Sequence, residues 1–466
     1  MRRVYRMPEH KEIRTVWERV SPDEHQAILA MGEDYKTFLD ASKTERRAVA
    51  TIMAAAERRG FRPLGAGPLA PGDRVYAVNR GKAVILAVVG ERPPEDGFNI
   101  VGAHIDAPRL DLKPRPLYEE EGLALAKTHY YGGIKKYQWL AIPLALHGVV
   151  ILANGEKKEL ALGEAPEDPV FTVTDLLPHL AKDQLNKKMA DAVPGESLNL
   201  LVGSIPAPGE ERGRVKRAIL EHLFRVYGIT EEDFVSAELE AVPAWRAVDI
   251  GFDRSLVGGY GQDDRACAYA LCRAITESER PLHTAIALFA DKEEIGSRGN
   301  TGMGARYFED FVAELLAGLV SGVNHLTLRR CLRNSRALSA DVNTAIDPTY
   351  ADVMEKHNAA RIGCGVVLTK YTGTKGKQQA NDTHAEYLHA VRSLFNRAGV
   401  VWQVGELGKV DQGGGGTIAY LLAAYGMDVI DCGPPLLSMH APLEVASKAD
   451  IYMTYRAYRA FLGAAW

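Results

Sequence analysis

Cysteine is scarce and unpatterned: five stand among 466 residues, at 267, 272, 331, 364 and 432. The number is odd and no Cys-x-x-Cys occurs, which excludes a disulfide framework and a zinc knuckle and points to free thiols in a reducing cytoplasm. No apolar run is long enough to span a bilayer. The longest, 139–153, is interrupted by Pro143 and His147, so no membrane partner is expected. Residues 1–10 carry arginines but no apolar stretch behind them, unlike a secretory signal. Neither sign of charge dominates: 56 basic residues face 60 acidic ones for a net charge of −4, which gives no footing for a nucleic-acid partner or an interaction tail. Several catalytic signatures are missing too. There is no His-Glu-x-x-His for single-zinc proteolysis and no Gly-x-Ser-x-Gly elbow, and the glycines at 413–416 lack the Lys-Ser/Thr of a phosphate loop. No internal repeat is present.

What remains is an ordinary globular composition, 46% hydrophobic and 25% charged, on a chain long enough for two domains. Residues 283–290, His-Thr-Ala-Ile-Ala-Leu-Phe-Ala, read as a strand buried on both faces. Asp291-Lys292-Glu293-Glu294-Ile295-Gly296 follows it. Carboxylates at the carboxyl end of a buried parallel strand lie where open α/β sheets place their ligands. On an extended segment, neighbouring glutamates point to opposite sides, so one can hold a metal while the other faces substrate.

The rest of the chain supplies partners. Residues 21–60 predict one helix, started by Ser21-Pro22-Asp23-Glu24. A hairpin is expected over 73–89, turning at Asn79-Arg80-Gly81. The strand 98–103 delivers His104-Ile105-Asp106, with His104 and Asp106 on one side of an extended chain, a spacing that lets a carboxylate orient a metal-bound imidazole. Between about 112 and 243 the texture changes to short β-like runs, with helical stretches at 177–189 and 215–227. This segment reads as a second, inserted domain: 1–111 plus 244–466 form the first and 112–243 the insert. Gly261-Gln262-Asp263-Asp264-Arg265 opens a helix running to about 275. A strand-like run at 336–341 ends at Asp341, a last strand spans 427–433, and His440 follows a loop before a final helix at about 447–461. Helices alternating with strands outside the insert predict an α/β fold, a central mixed sheet flanked by helices.

Alone, each of His104, Asp263, Glu293/Glu294, Asp341 and His440 has a bland structural reading. Together, presented at strand ends or helix starts, two histidines and several carboxylates suit a pair of divalent ions such as zinc, cobalt or manganese. A shared carboxylate can bridge ions about 3.5–4 Å apart.

The stretches Val101-Gly102-Ala103-His104-Ile105-Asp106, Gly261-Gln262-Asp263-Asp264-Arg265, Asp291 to Ser297, Ser339-Ala340-Asp341-Val342 and Leu437-Ser438-Met439-His440-Ala441-Pro442 resemble the aspartyl aminopeptidase family of zinc metallopeptidases. Tyr131-Gly132-Gly133-Ile134 with Trp139 also resembles a signature of that family. The resemblance implies a dinuclear zinc exopeptidase fold and a metal-dependent aminopeptidase acting on peptides, with an amino-terminal Asp or Glu suggested by the family name. It makes His104 a ligand of one ion and His440 of the other, and Asp263 their bridge, followed by a cis peptide to Asp264. Glu294 and Asp341 complete the ligand sets, Glu293 is the general base, and Asp106 supports His104. It further implies a β-rich dimerisation insert, a tetrahedral dodecamer, a histidine (His179) reaching a neighbouring subunit's site, and a substrate-facing lysine at Lys375 or Lys377. Two alternatives stay open: a related dinuclear carboxypeptidase or amidohydrolase, and a non-catalytic assembly protein on the same scaffold.

Overall fold

The computed structural model describes residues 14–65, 67–209 and 212–466. The reading of residues 1–10 therefore lies outside the described residues. Among the described residues, two large sheets and one small one organise the chain. The first has nine strands in the order Arg62–Pro63, Arg74–Asn79, Ala83–Val88, Ala285–Ala290, Asn99–His104, Arg336–Ser339, Asp428–Gly433, Val366–Thr369 and Trp402–Val404. Its three central neighbours, Ala285–Ala290, Asn99–His104 and Arg336–Ser339, run parallel, in a register that pairs Ala290 with His104 and Ser339 with Gly102. His104, the 291–294 segment and Asp341 are thereby delivered to one end of the sheet.

Both faces of this sheet are covered, which is why its central strands are almost uninterrupted apolar residues. One face packs on the helices Pro22–Ala41, Glu45–Arg58, Gln262–Thr276, Ala385–Arg397 and Lys448–Leu462. The other packs on Tyr307–Leu319, His325–Asn334 and the short Ala419–Ala423.

The second sheet has seven strands, all paired antiparallel, drawn from Arg109–Glu120 through Ala237–Pro243, with the helix Arg214–Tyr227 against it. A small third sheet joins Val248–Ile250, Leu256–Gly259, Glu444–Ser447, Pro435–Leu437 and Asn343–Thr344. It places Glu444 opposite Gly259, close in space to the start of the Gln262–Thr276 helix.

Three local expectations are corrected. The helix expected over 21–60 is two helices, broken at Ser42-Lys43-Thr44. Lys43 is buried and its ammonium reaches Glu164 and the Pro243 carbonyl, while the Thr44 hydroxyl caps the second helix by accepting from the Arg47 amide. The helical stretch at 177–189 is three short turns, Pro178–Leu180, Lys182–Leu185 and Met189–Ala192. Their apolar side chains have no core to pack on: Leu180, Leu185 and Met189 are 68%, 75% and 68% exposed. Glu293 and Glu294 are not extended either; Lys292 takes a left-handed conformation (φ 67°) and the pair sits in the one-turn 3-10 helix Glu293–Ile295.

Candidate metal centre

The centre forms where strand ends of the large sheet meet the start of the Gln262–Thr276 helix and the loop before Glu444–Ser447. Asp263 lies in its middle. One carboxylate oxygen is 3.1 Å from His104 Nε2, the other 3.2 Å from His440 Nε2. The peptide from Asp263 to Asp264 is cis. Around this carboxylate two ligand triads can be drawn, each with its donor atoms within 4.8 Å: His104, Asp263 and Asp341, and Asp263, Glu294 and His440. Glu294 Oε2 is 3.6 Å from His440 Nε2, and Glu293 Oε2 is 4.0 Å from His104 Nε2.

Each imidazole is oriented from behind. His104 Nδ1 lies 3.2 Å from both the carboxylate and the carbonyl oxygen of Asp106. His440 Nδ1 lies 2.7 Å from the Gly133 carbonyl. With Nδ1 donating to these oxygens, each Nε2 faces Asp263 and would turn its lone pair to a bound cation there, the arrangement a metal-binding histidine needs. Asp106 is fully buried and accepts from the Tyr131 hydroxyl (2.9 Å) and from the amides of Glu293 (3.1 Å) and Glu294 (3.2 Å). The 3-10 turn accounts for this: its first two amides point back at Asp106, so one carboxylate fixes both glutamates.

The electrostatics fit cations. Burial pushes the Glu294 and Asp341 carboxyls well above the ordinary range, and neighbouring carboxylates add to it. Burial lifts Glu293 to about 7 against the pull of His104. Burial also disfavours charged imidazoles, yet the surrounding carboxylates outweigh it: His104 is held well above its usual value and His440 is pushed up to about 10. Glu294 Oε1 is buried without a hydrogen-bond partner. An orphaned carboxylate oxygen beside two imidazoles and a doubly shared aspartate is a nitrogen-and-oxygen donor set suited to zinc.

An open cleft adjoins these groups, lined by Glu293, Glu294, Asp341 and His440 together with Thr369, Gly414–416 and Thr417. Its described lining holds no lysine or arginine. Lys375 and Lys377 line an adjoining hollow that shares Thr372, Leu407 and Gly414 with the cleft. Lys377 is engaged there, 2.8 Å from Asp382 and over the Tyr371 ring. His179 sits on an exposed turn and does not line the cleft of its own chain.

One functional residue escaped the sequence reading. Glu444 is buried, its Oε2 accepting from the Asp263 amide (3.1 Å) and its Oε1 from the His440 amide (2.7 Å). It ties the backbones of the shared aspartate and the second histidine together. The only signal was its place four residues after His440, which means nothing until the small sheet brings it beside Gly259.

With this geometry in place, comparisons with known proteins are specific. The family model described as "Aminopeptidase I zinc metalloprotease (M18)" matches residues 38–462. A protein of Clostridium acetobutylicum named "Probable M18 family aminopeptidase 1" is 51% identical over 458 residues, 97% of this chain and 98% of that one. The crystal structure of an M18 family aminopeptidase from Thermotoga maritima superposes with a TM-score of 0.92 at 48% identity, covering 97% of this chain and 99% of that one. A yeast aminopeptidase 1 dodecamer shares the fold at 20% identity, with a TM-score of 0.73 over 92% of this chain and 96% of that one.

Proposed function

The chain belongs to the M18 family of zinc aminopeptidases, and we propose that it removes amino-terminal residues from peptides using two divalent ions, zinc by preference, held by His104, Asp263, Glu294, Asp341 and His440. The observation that carries this reading is the Asp263 carboxylate set between two imidazoles at 3.1 and 3.2 Å, with one further carboxylate in each triad. His104 and Asp341 would hold one ion, His440 and Glu294 the other, and Asp263 would contribute to both.

Bound ions would acidify the attacking water and polarise the scissile carbonyl. The chain's own work is proton handling and orientation. Glu293, unlike Glu294, falls in neither triad. Its carboxylate takes the proton from the attacking water and returns it to the departing amine nitrogen, a role suited to a carboxylate that faces the cleft and lies 4.0 Å from His104 Nε2. Asp106 holds His104 and both glutamate amides in register. The carboxypeptidase or amidohydrolase alternative, and that of a non-catalytic assembly protein, draw no support from the relatives. Aminoacyl anilides test the reading directly: those with a free α-amine are expected to be cut and their N-acetylated counterparts to be inert. Equal cleavage of both forms would point to an amidohydrolase, and cleavage of neither to a scaffold.

We assign residues 112–243 to oligomerisation, with a tetrahedral dodecamer as the assembly. The exposed Leu180, Leu185 and Met189 on the segment carrying His179 support a surface covered by another copy. Light scattering should therefore give the mass of a large homo-oligomer for the active species, and an active monomer at working concentration would refute the assembly. In that assembly His179 reaches the neighbouring subunit's cleft, so His179→Ala should lower turnover without lowering metal content. Lys375 is the freer of the two candidate lysines to approach substrate, since Lys377 is paired. The five free thiols support a cytoplasmic location, and no helix among the described residues is long and apolar enough to cross a membrane.

A further inference from the structure

The seven-stranded sheet does more than lie beside the metal centre: one of its strand ends enters it. The strand Leu123–Tyr131 finishes at Tyr131, paired with Arg109 of the neighbouring strand. The Tyr131 hydroxyl donates to Asp106, which orients His104. Two residues on, the Gly133 carbonyl meets His440 Nδ1 at 2.7 Å. The residue between them has left-handed backbone (φ 73°), and a Cβ there would lie 3.1 Å from Glu294 Oε2 and 3.3 Å from Glu294 Cβ. A Cβ at Gly133 would come within 3.3 Å of His440 Nδ1. The two glycines let the backbone approach ligand side chains so closely that a Cβ at either would press on them, and Gly132 also takes a backbone conformation that side chains disfavour. Three consecutive residues thus touch the surroundings of His104, Glu294 and His440.

The segment is clamped from outside the centre. The Arg109 guanidinium stacks 3.9 Å over the Tyr131 ring and is itself buried, 4% exposed. Its charge is matched by Asp111 at 2.8 Å and Glu240 at 3.3 Å, both in the seven-stranded sheet, and by Glu45 at 3.4 Å, on the helix Glu45–Arg58 that packs on the large sheet. The stack therefore bridges the two halves of the molecule, and a planar guanidinium suits it where a lysine would not.

We propose that Tyr131, Gly132 and Gly133 are positioning residues for the metal centre, so that the seven-stranded sheet sets the orientation of both imidazoles and hence the affinity for both ions. This rests on the two-ion aminopeptidase reading. It makes catalysis depend on how that sheet is docked, with Arg109 as the clamp. None of the three is itself catalytic: Tyr131 acts through Asp106, Gly132 by its close approach to Glu294, and Gly133 through the His440 ring it faces.

Tyr131→Phe in the full-length protein isolates the effect, because it keeps the ring under Arg109 and removes only the hydroxyl. Loss of a hydrogen bond behind a ligand typically weakens metal binding by about 10–100-fold. The expected result is a rise of that order in the zinc dissociation constant, read by competition with a chromophoric chelator. A comparable fall in kcat at zinc concentrations that saturate the parent, near-constant KM, and unchanged thermal midpoint and oligomeric mass should accompany it. Gly132→Ala, which presses a methyl group on Glu294, should weaken zinc by the same assay. Tyr118→Phe, which removes a hydroxyl from the same hairpin away from the centre, should leave affinity and turnover at parental values. Parental zinc affinity and kcat in both Tyr131→Phe and Gly132→Ala overturn the proposal, as does a loss that follows a lowered thermal midpoint in both. If the parent itself binds no zinc, it is the two-ion reading that falls.

Discussion

Glu293→Gln is expected to lower kcat by about 10²–10⁴-fold while leaving metal content, fold and assembly unchanged. The substitution keeps the shape and removes the proton acceptor. Glu293 belongs to neither ligand triad, so nothing that holds an ion is lost. Its amide, which anchors the 3-10 turn on Asp106, is untouched. Glu294→Gln should behave differently although it alters the adjacent residue. Glu294 belongs to the triad with Asp263 and His440, so its loss should weaken one ion, and activity should partly return as metal is added. The check is a metal titration of both variants with turnover and bound metal read together. Rescue of Glu293→Gln by metal, with Glu294→Gln inactive yet holding both ions, would reverse the two roles.

Asp263→Asn should be the most damaging ligand substitution. Its two carboxylate oxygens face different imidazoles at 3.1 and 3.2 Å, so the change strikes both triads. Hydrogen-bond partners behind ligands already account for about 10–100-fold in metal affinity, so a shared direct ligand should cost on the order of 10²-fold or more at each ion. Metal analysis after dialysis against a weak chelator should find both equivalents depleted, whereas His440→Ala should deplete one. Retention of one tightly held ion in Asp263→Asn would show that its carboxylate is not shared.

Much of the frame was legible because it is written locally. The apolar runs before Glu293 and before His104 announce buried strands, and both are central strands of the large sheet. Ser21 to Glu24 announces a helix start, and the capping box is present. The chemistry was legible only as a set, since His104, Asp263 and His440 are each unremarkable until the sheet brings them together. What escaped depends on partners distant in sequence. The break at Lys43 is made by Glu164 and Pro243, more than a hundred residues away. The turn at Glu293 is held by Asp106, and Glu444 matters only because it reaches the Asp263 and His440 amides. The exposed turns around His179 show the opposite case: a helical stretch was expected over 177–189, but no core surface lies beneath it to hold one together.

The most direct test of the two-ion aminopeptidase is a zinc titration of metal-stripped protein, followed by hydrolysis of an aminoacyl anilide with a free α-amine. The account predicts negligible activity without metal and a rise that levels off at about two equivalents per chain. Full activity in rigorously metal-free protein, or a plateau at one equivalent, would contradict it.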